Sequence, residues 1–438
     1  MTAVTTESRP TSASTHVPGA WWVAAGACLA IIGAGAFTTM SGLLVQPLAT
    51  EFSWPRGSIG VAIAVNMVLY GLTAPFAAAL MDRVGIRRVV PVAMLLIALG
   101  AGLTTVVSAP WQLTLYWGLF VGIGTGSVTM VFAATVANRW FVARRGLVVG
   151  LLTASSVLGQ FLFLPLLSWI IEQHHWRPGV ATIGFAALAI SPLVWLMLRD
   201  RPADGGAVAV GAHPPNSAVD SNADSGSSVT RRTMGALVAA ARTWPFWLLA
   251  GTFAICGAST NGVMWSHFTP AAHDHGMPMT SASSLLALIG IFNVVGTVSS
   301  GWLTDRIDPR WLLSIFFATR GLSLSLLPLL FASTVSVPMV AFVVVFGILD
   351  VATVPPVIAL CGERYGADSA IVFGWINAAH QIGAGLMAFL GGAIRDALGS
   401  YTTVWIAAAA LCEVAALAVL AMPGRGAHLT DPTPLHAA

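Results

Sequence analysis

Along this chain long apolar stretches alternate with short breaks that carry charge, proline or glycine. A stretch of about 20 apolar residues is long enough to cross about 30 Å of hydrocarbon as a helix. Read between the breaks, twelve such stretches recur, at 20–45, 57–81, 89–108, 111–137, 147–171, 178–198, 244–268, 281–304, 311–332, 336–361, 369–393 and 400–422. The fold class this predicts is an all-α membrane protein of twelve transmembrane helices. The first residues, MTAVTTESRPTSASTHVP, lack the charged, apolar and small-residue segments of a signal peptide and read as a disordered tail. Residues 201–230 are rich in Gly, Ala, Ser, Asp and Pro and cannot bury a core, so they read as a flexible linker. The expected organisation is a tail at 1–18, a six-helix half at 19–200, a linker at 201–242, a second six-helix half at 243–423 and a tail at 424–438.

Composition narrows the class further. Hydrophobic residues make up 56% of the chain and charged residues 8%, against about 25% charged in an ordinary globular domain, which excludes a soluble fold. The 20 basic residues are all arginine, and the net charge of +3 comes without a basic run or basic and aromatic interleaving, so nucleic acid is not an expected partner. The four cysteines, Cys28, Cys256, Cys361 and Cys412, sit in or beside spans at unrelated spacings, which suits apolar packing rather than metal or redox chemistry.

The arginines are unevenly shared. With the amino terminus inside, only Arg56, Arg177 and Arg395 fall on the outer side and Arg320 falls within a span, leaving sixteen of the 20 on the inner side. The positive-inside rule then predicts a multi-pass protein of the plasma (inner) membrane with both termini cytoplasmic.

The second half repeats the first. ALMDRVGIRR after span two aligns with GWLTDRIDPR after span eight, setting Asp82 on Asp305, Arg83 on Arg306 and Arg87 on Arg310 at an offset of 223. RWFVARRGLVVGLLTASSVLGQ aligns with RYGADSAIVFGWINAAHQIGA once a loop residue is skipped, setting Gly150 on Gly374 and Gly159 on Gly383 at an offset of 224. Two near-equal offsets in separate places indicate duplication, the usual origin of transporter halves.

On these residues the chain resembles the major facilitator superfamily over almost its full length. The superfamily loop G-x-x-x-D-R-x-G-x-R-R is matched by Asp82, Arg83, Gly85, Arg87 and Arg88, with Ala78 at the first glycine; the second copy keeps Gly301 and has Asp308 at the later glycine. EFSWPRGSIG, NRWFVARRG and IRDALGSYT are similar to the monocarboxylate and oxalate/formate-type transporters of prokaryotes. The resemblance implies two pseudo-symmetric six-helix halves around a central cavity. It also implies that the charged loops latch the cytoplasmic side, through Asp82, Arg83 and Arg139 in one copy and Asp305, Arg306 and Arg364 in the other. Carboxylate carriers of that group place a lysine or arginine toward the cavity, often in the first or eighth span. Here there is no lysine, and span eight has no charge before its cytoplasmic end.

Ionisable residues at membrane depth cost about 2.5 to 3.5 kcal/mol on insertion scales and need a partner, a wet cavity or a function. Arg320 in span nine, Asp350 in span ten, His380 in span eleven and Glu413 in span twelve lie at similar depth, so a buried charge network is expected. Arg320 paired with Asp350 or Glu413 as helix glue is one reading. The other gives Asp350 and His380 the coupling proton, because spans ten and eleven border the cavity in the resembled fold and both side chains titrate. Asn377, His380 and Gln381 share one helical face. Ser156 and Gln160 form a comparable stripe on span five, Tyr70 falls on Asn293 by the repeat, and Asn261 is a further candidate in span seven. Hydrogen bonding to a solute and hydrogen bonding between helices are both open for each of these groups.

No G-x-x-x-x-G-K-[ST] phosphate loop and no H-E-x-x-H metal motif occurs, so neither ATP hydrolysis, a cofactor nor enzymatic catalysis is expected. The resulting expectation is a monomeric secondary active transporter of a small organic solute, a monocarboxylate or aromatic acid, moved with protons by alternating access. Efflux of a hydrophobic drug or metabolite, and a membrane sensor that binds a solute without moving it, are the alternatives.

Overall fold

The computed structural model describes residues 18–128, 130–141, 145–200, 226–304 and 306–422. Both chain ends, most of the expected linker and Asp305 lie outside those residues, and the side chain of Asp82 is likewise not described. The first half opens with α1 (Pro18–Phe52), α2 (Arg56–Val84) and α3 (Ile86–Thr104). Its fourth crossing is segmented into α4 (Pro110–Leu113), a π-helical stretch Thr114–Val121, α5 (Gly122–Ser127) and α6 (Met130–Trp140); α7 (Arg145–Gln173) and α8 (Trp176–Met197) complete it. A helix before the second half, α9 (Gly226–Ala241), leads into a seventh crossing of α10 (Trp244–Gly257), a π-helical stretch Ala258–Met264 and α11 (Trp265–Asp274). Then follow α12 (Met279–Thr304), α13 (Pro309–Leu326), a tenth crossing split into α14 (Val337–Asp350) and α15 (Val354–Tyr365), α16 (Ser369–Leu398) and α17 (Thr402–Leu420).

Among the described residues ten helices are long and apolar enough to cross a membrane. The segmented stretch 110–140 and α16 bring the crossings to the twelve read from hydropathy. Helix α1 runs to Phe52, well past the apolar stretch at 20–45, because the polar turn Gln46–Thr50 keeps its helical bonds, with Thr50 Oγ1 donating to the Gln46 carbonyl at 2.9 Å. Large apolar side chains such as Trp22, Phe76, Phe185, Val298 and Leu417 face outward, where lipid rather than water would cover them.

The duplication is visible in the packing. Helices associate in lipid through small residues that let backbones approach. A Cβ on Gly159 of α7 would meet the Ile32 carbonyl of α1 at 2.6 Å, and one on the repeat mate Gly383 of α16 would collide with the Ala254 carbonyl of α10. One turn earlier the same contact runs the other way: a Cβ on Gly35 would meet the Ser156 carbonyl, and one on Gly257 would strike the carbonyl of His380. These contacts hold α1 to α7 and α10 to α16. Between the halves α2 lies along α16, and α7 lies along α12.

The charged loops are built alike although one glycine differs. Gly85 (φ 97°) lets the Asp200 carboxylate approach, and Asp200 Oδ1 accepts from the Arg87 backbone N–H at 2.9 Å, capping α3. In the second copy Asp308 is itself the cap, accepting from the Arg310 N–H at 3.0 Å, so no glycine is needed there. The repeat mates Arg87 and Arg310 each donate to a carbonyl at the end of their half, Trp195 in α8 at 3.2 Å and Met422 just after α17 at 2.6 Å.

The glycine contacts make a direct prediction. Gly159→Ala and Gly383→Ala should each lower stability by about 1–3 kcal/mol through overpacking against a neighbouring backbone. Gly251→Ala, which meets nothing within 4 Å, should not. Thermal or SDS denaturation of detergent-solubilised protein reads the difference, and equal effects at all three positions would contradict the packing account.

Candidate functional site

A cavity of about 160 Å³ lies between the halves, walled by six residues of each. The first half contributes Ser41, Asn66, Met67, Tyr70, Ser156 and Gln160, and the second contributes Asn261, Trp265, Asn293, Asp350, Val351 and Gln381. A dry engineered cavity of comparable volume holds benzene, so the space suits a molecule of roughly that size. The repeat mates Tyr70 and Asn293 both reach it. Asn261 and Trp265 stand at and just after the π-helical stretch of the seventh crossing, a widened turn of the kind that recurs at functional sites.

Part of the polar wall is already engaged. Asn66 Nδ2 donates to the Trp117 carbonyl at 2.8 Å and Trp117 Nε1 donates to Ser41 Oγ at 3.0 Å, tying the second, fourth and first crossings together. Gln381 reaches the cavity because α2 and α16 meet closely at Gly71, where a Cβ would stand 2.6 Å from that of Gln381.

The acid of the cavity sits at a break in a helix. Pro355 and Pro356 open α15; neither has an N–H to donate, and residues before proline avoid helical geometry, so the tenth crossing stops at Asp350 and restarts at Val354. A broken helix at membrane depth leaves carbonyls that must be paired within the protein. Arg320, fully buried, supplies the pairs: Nη2 donates to the carbonyls of Leu349 and, at 2.9 Å, Asp350. Nη1 donates to Cys256 Sγ at 3.1 Å and Ser259 Oγ at 3.5 Å. Ser300 of α12 donates to the Ala352 carbonyl at 2.5 Å. A cation at the carbonyl end of α14 is also favoured by the helix dipole.

Arg320 therefore meets Asp350 through its main chain, where the sequence pointed to a pair of opposite charges. The Asp350 side chain is 4% exposed. Its Oδ2 accepts from Trp265 Nε1 and Asn293 Nδ2, each at 3.3 Å, and its Oδ1 is buried with no hydrogen-bond partner.

The other expected charges are outside the cavity wall, although His380 stands beside Cys256 and within electrostatic reach of Asp350. Glu413 is exposed on α17, against Gly321 rather than in a charge cluster. His380 is outside the cavity wall, its ring 4.8 Å from that of Phe253 and its Nδ1 buried without a hydrogen-bond partner. Asn377, one turn before it, is outside the wall as well. Sequence reasoning missed Ser41, Asn66 and Trp265; of these only Asn66, one turn before Tyr70 in an apolar helix, carried a readable signal.

Two faces flank the cavity. On the one bearing the charged loops, Arg139 Nη2 donates to the Met81 carbonyl at 3.2 Å, near the end of α2. Arg83 is exposed in the last turn of that helix, and Arg364 stands in the last turn of α15. Arg306 donates to the Trp302 carbonyl at 3.0 Å with its guanidinium 4.0 Å from the Trp302 ring.

On the opposite face the halves are tied by charge. Arg56 of α2 grips Asp274 of α11 with two bonds of 2.8 and 2.7 Å, and Arg395 of α16 joins Asp274 at 2.9 Å. Both guanidiniums lie over Tyr401, whose hydroxyl burial pushes up to about 12, so the ring between them stays uncharged. Asp396 accepts from the Gly57 N–H at 2.7 Å, and Glu172 of α7 caps α12 through the Thr280 N–H at 2.8 Å. Every one of these ties except the Arg395 bond joins one half to the other.

Comparison with known proteins adds a family. The profile described as Major Facilitator Superfamily matches residues 26–300 and 248–437. Monocarboxylate transporter 13 of Bos taurus is 25% identical over 392 residues, covering 87% of this chain and 84% of that protein. The uncharacterised MFS-type transporter YcxA of Bacillus subtilis is 24% identical over 393 residues, covering 88% and 90%. Among solved structures, a bacterial homologue of the human lysosomal transporter Spinster, inward-facing and unoccupied, superposes with a TM-score of 0.71 at 16% identity over 92% of this chain and 96% of that one. The E. coli xylose transporter XylE, in a partially occluded inward-open conformation, gives 0.66 at 16% identity over 92% and 98%.

The Arg320 geometry predicts a pattern of rescue. Arg320→Leu strands two carbonyls, at about 1–3 kcal/mol each, so folded yield and melting temperature should fall sharply. Adding Asp350→Asn should restore only the part owed to charge balance, because the two stranded main-chain oxygens stay unpaired. Recovery to parental stability in the double variant would instead mark a charge pair.

Proposed function

This chain belongs to the major facilitator superfamily, and from that premise we propose that it carries a monocarboxylate or aromatic acid across the membrane together with a proton. It is a multi-pass membrane transporter. The solute binds in the central cavity, and rocking of the two halves exposes that cavity to one side and then the other. The observation that carries this reading is the equal division of the cavity wall between the halves, with one buried carboxyl in it. A site shared in this way opens to either side without being rebuilt.

The solute class is supported by the relatives named monocarboxylate transporters. The orientation is supported by the arginine distribution: both termini and the charged loops are cytoplasmic, and the Arg56–Asp274 face is external. The proposed carrier is a monomer in the plasma membrane, a state supported by a cavity that the two halves of one chain wall together. Asp350 is the proton site, because it is the one carboxyl of the cavity wall among the described residues, and a solute anion set beside it out of water is costly unless a proton enters with it. The cytoplasmic gate comprises Asp82, Arg83 and Arg139 with Asp305, Arg306 and Arg364, and the external gate comprises the ties on Asp274.

Two experiments test this reading. In proteoliposomes with an imposed pH gradient, Asp350→Asn should abolish accumulation of solute while leaving solute exchange at least partly intact, since exchange needs no net proton release. His380→Gln, outside the cavity wall, should accumulate as the parent does. Accumulation by Asp350→Asn would remove the proton role. At the external gate, Asp274→Asn releases Arg56 and Arg395, which should shift the population toward the outward-open state. A Ser41→Cys probe in the cavity should then react severalfold faster with an impermeant thiol reagent added outside; an unchanged rate would refute the gate.

A further inference from the structure

The wall of the central cavity holds an acid and, among the described residues, no base. The chain has no lysine. Among the described residues Arg320 is the one arginine at the depth of Asp350; its two terminal nitrogens are committed to the Leu349 and Asp350 carbonyls, Cys256 and Ser259, and its Nε is buried without a partner. Turning it toward a solute would uncap the break in the tenth crossing. A carboxylate in the cavity would therefore stand beside Asp350 with no cation of its own.

Two carboxyl groups brought together in a dry site cannot both ionise, and the stable arrangement is one proton shared between them. We infer that this chain recognises its acid through a proton shared with the Asp350 carboxyl, in place of the basic side chain that usually holds a carboxylate. This rests on the acid class proposed above and adds how the acid is held. The hydrogen bonding of Asp350 suits the role: Oδ2 is oriented by Trp265 and Asn293, while Oδ1 has no partner in the protein and is available for protonation. The remaining polar wall, with Tyr70, Gln160, Asn261 and Gln381, offers neutral donors to the rest of the anion.

Charge balance favours entry of the acid together with a proton. In the empty protein the buried Arg320 cation and the Asp350 anion sum to zero. An anion entering alone leaves one uncompensated negative charge at membrane depth, whereas an anion entering with one proton leaves the sum at zero. Insertion costs for a buried charge correspond to an affinity lower by about a hundredfold for the anion without its proton. One turnover therefore moves one proton and one monocarboxylate with no net charge.

The test is equilibrium binding of labelled lactate and benzoate to the purified full chain in nanodiscs between about pH 6 and about pH 8, where the free acids, of pKa about 4, are ionised, so a fall in affinity with rising pH counts a proton taken up on binding. His380, the other titratable group within electrostatic reach of Asp350, is separated by His380→Gln, which should keep the parental pH dependence. The parent should lose affinity by up to about a hundredfold across that range as one bound proton is withdrawn. Asp350→Asn, which offers an amide donor without titrating, should bind either acid with affinity independent of pH. Parental binding that is flat with pH overturns the shared proton while leaving the acid class intact, and it does so whether or not the variant folds. A variant that melts like the parent yet keeps the parental pH dependence also overturns it. If the parent binds neither acid at any pH but binds benzylamine, the acid class and this inference fall together.

Discussion

The centre of this protein is organised by one fully buried guanidinium. A helix interrupted in the middle of a bilayer exposes carbonyls that water cannot reach, and the penalty for leaving them unpaired would normally forbid the interruption. Arg320 removes that penalty at Leu349 and Asp350, and Ser300 removes it at Ala352. The break in turn sets Asp350 in the cavity wall rather than in a regular helical turn. The same hold keeps the one strong cation of the region, among the described residues, away from the cavity, and this is why its chemistry is acidic and amide-like.

The halves meet with different chemistry at the cavity and at the face beyond it. Around the cavity they contact through small residues and neutral polar groups, such as Gly71 against Gln381, which can separate without stranding charge. At the Arg56 face they are joined by multidentate ion pairs on Asp274, backed by Tyr401. These side chains are largely buried, and the cost of taking both charges out of water offsets much of the attraction between them. That near balance suits the external gate proposed above, and concentrating the contact on one acid lets a single separation undo it.

Much of this architecture was legible in the sequence because it follows from periodicity and duplication. The twelve crossings come from apolar length, and the offset that aligns Gly159 with Gly383 marks two glycines that each pack a helix onto the first helix of its half. The restart of the tenth crossing coincides with the proline pair Pro355 and Pro356. Tyr70, Ser156, Gln160, Asn261, Asn293, Asp350 and Gln381 were singled out as polar groups in apolar spans, and all of them line one cavity.

What could not be read was rotation about helix axes and the identity of main-chain partners. Glu413 and His380 share the depth of Asp350, but depth along a helix does not say which way a side chain points, and Glu413 faces outward. Carbonyl acceptors have no residue signature, so the sequence suggested a carboxylate partner for Arg320 where the fold supplies two backbone oxygens. The central claim is that Asp350, held at this capped break, takes up the proton that accompanies the solute. It is tested most directly by titration calorimetry of solute binding near neutral pH in buffers of different ionisation enthalpy, which counts protons taken up per solute bound. The account predicts an uptake approaching one for the parent and none for Asp350→Asn; no uptake by the parent, or the same uptake by both proteins, would contradict it.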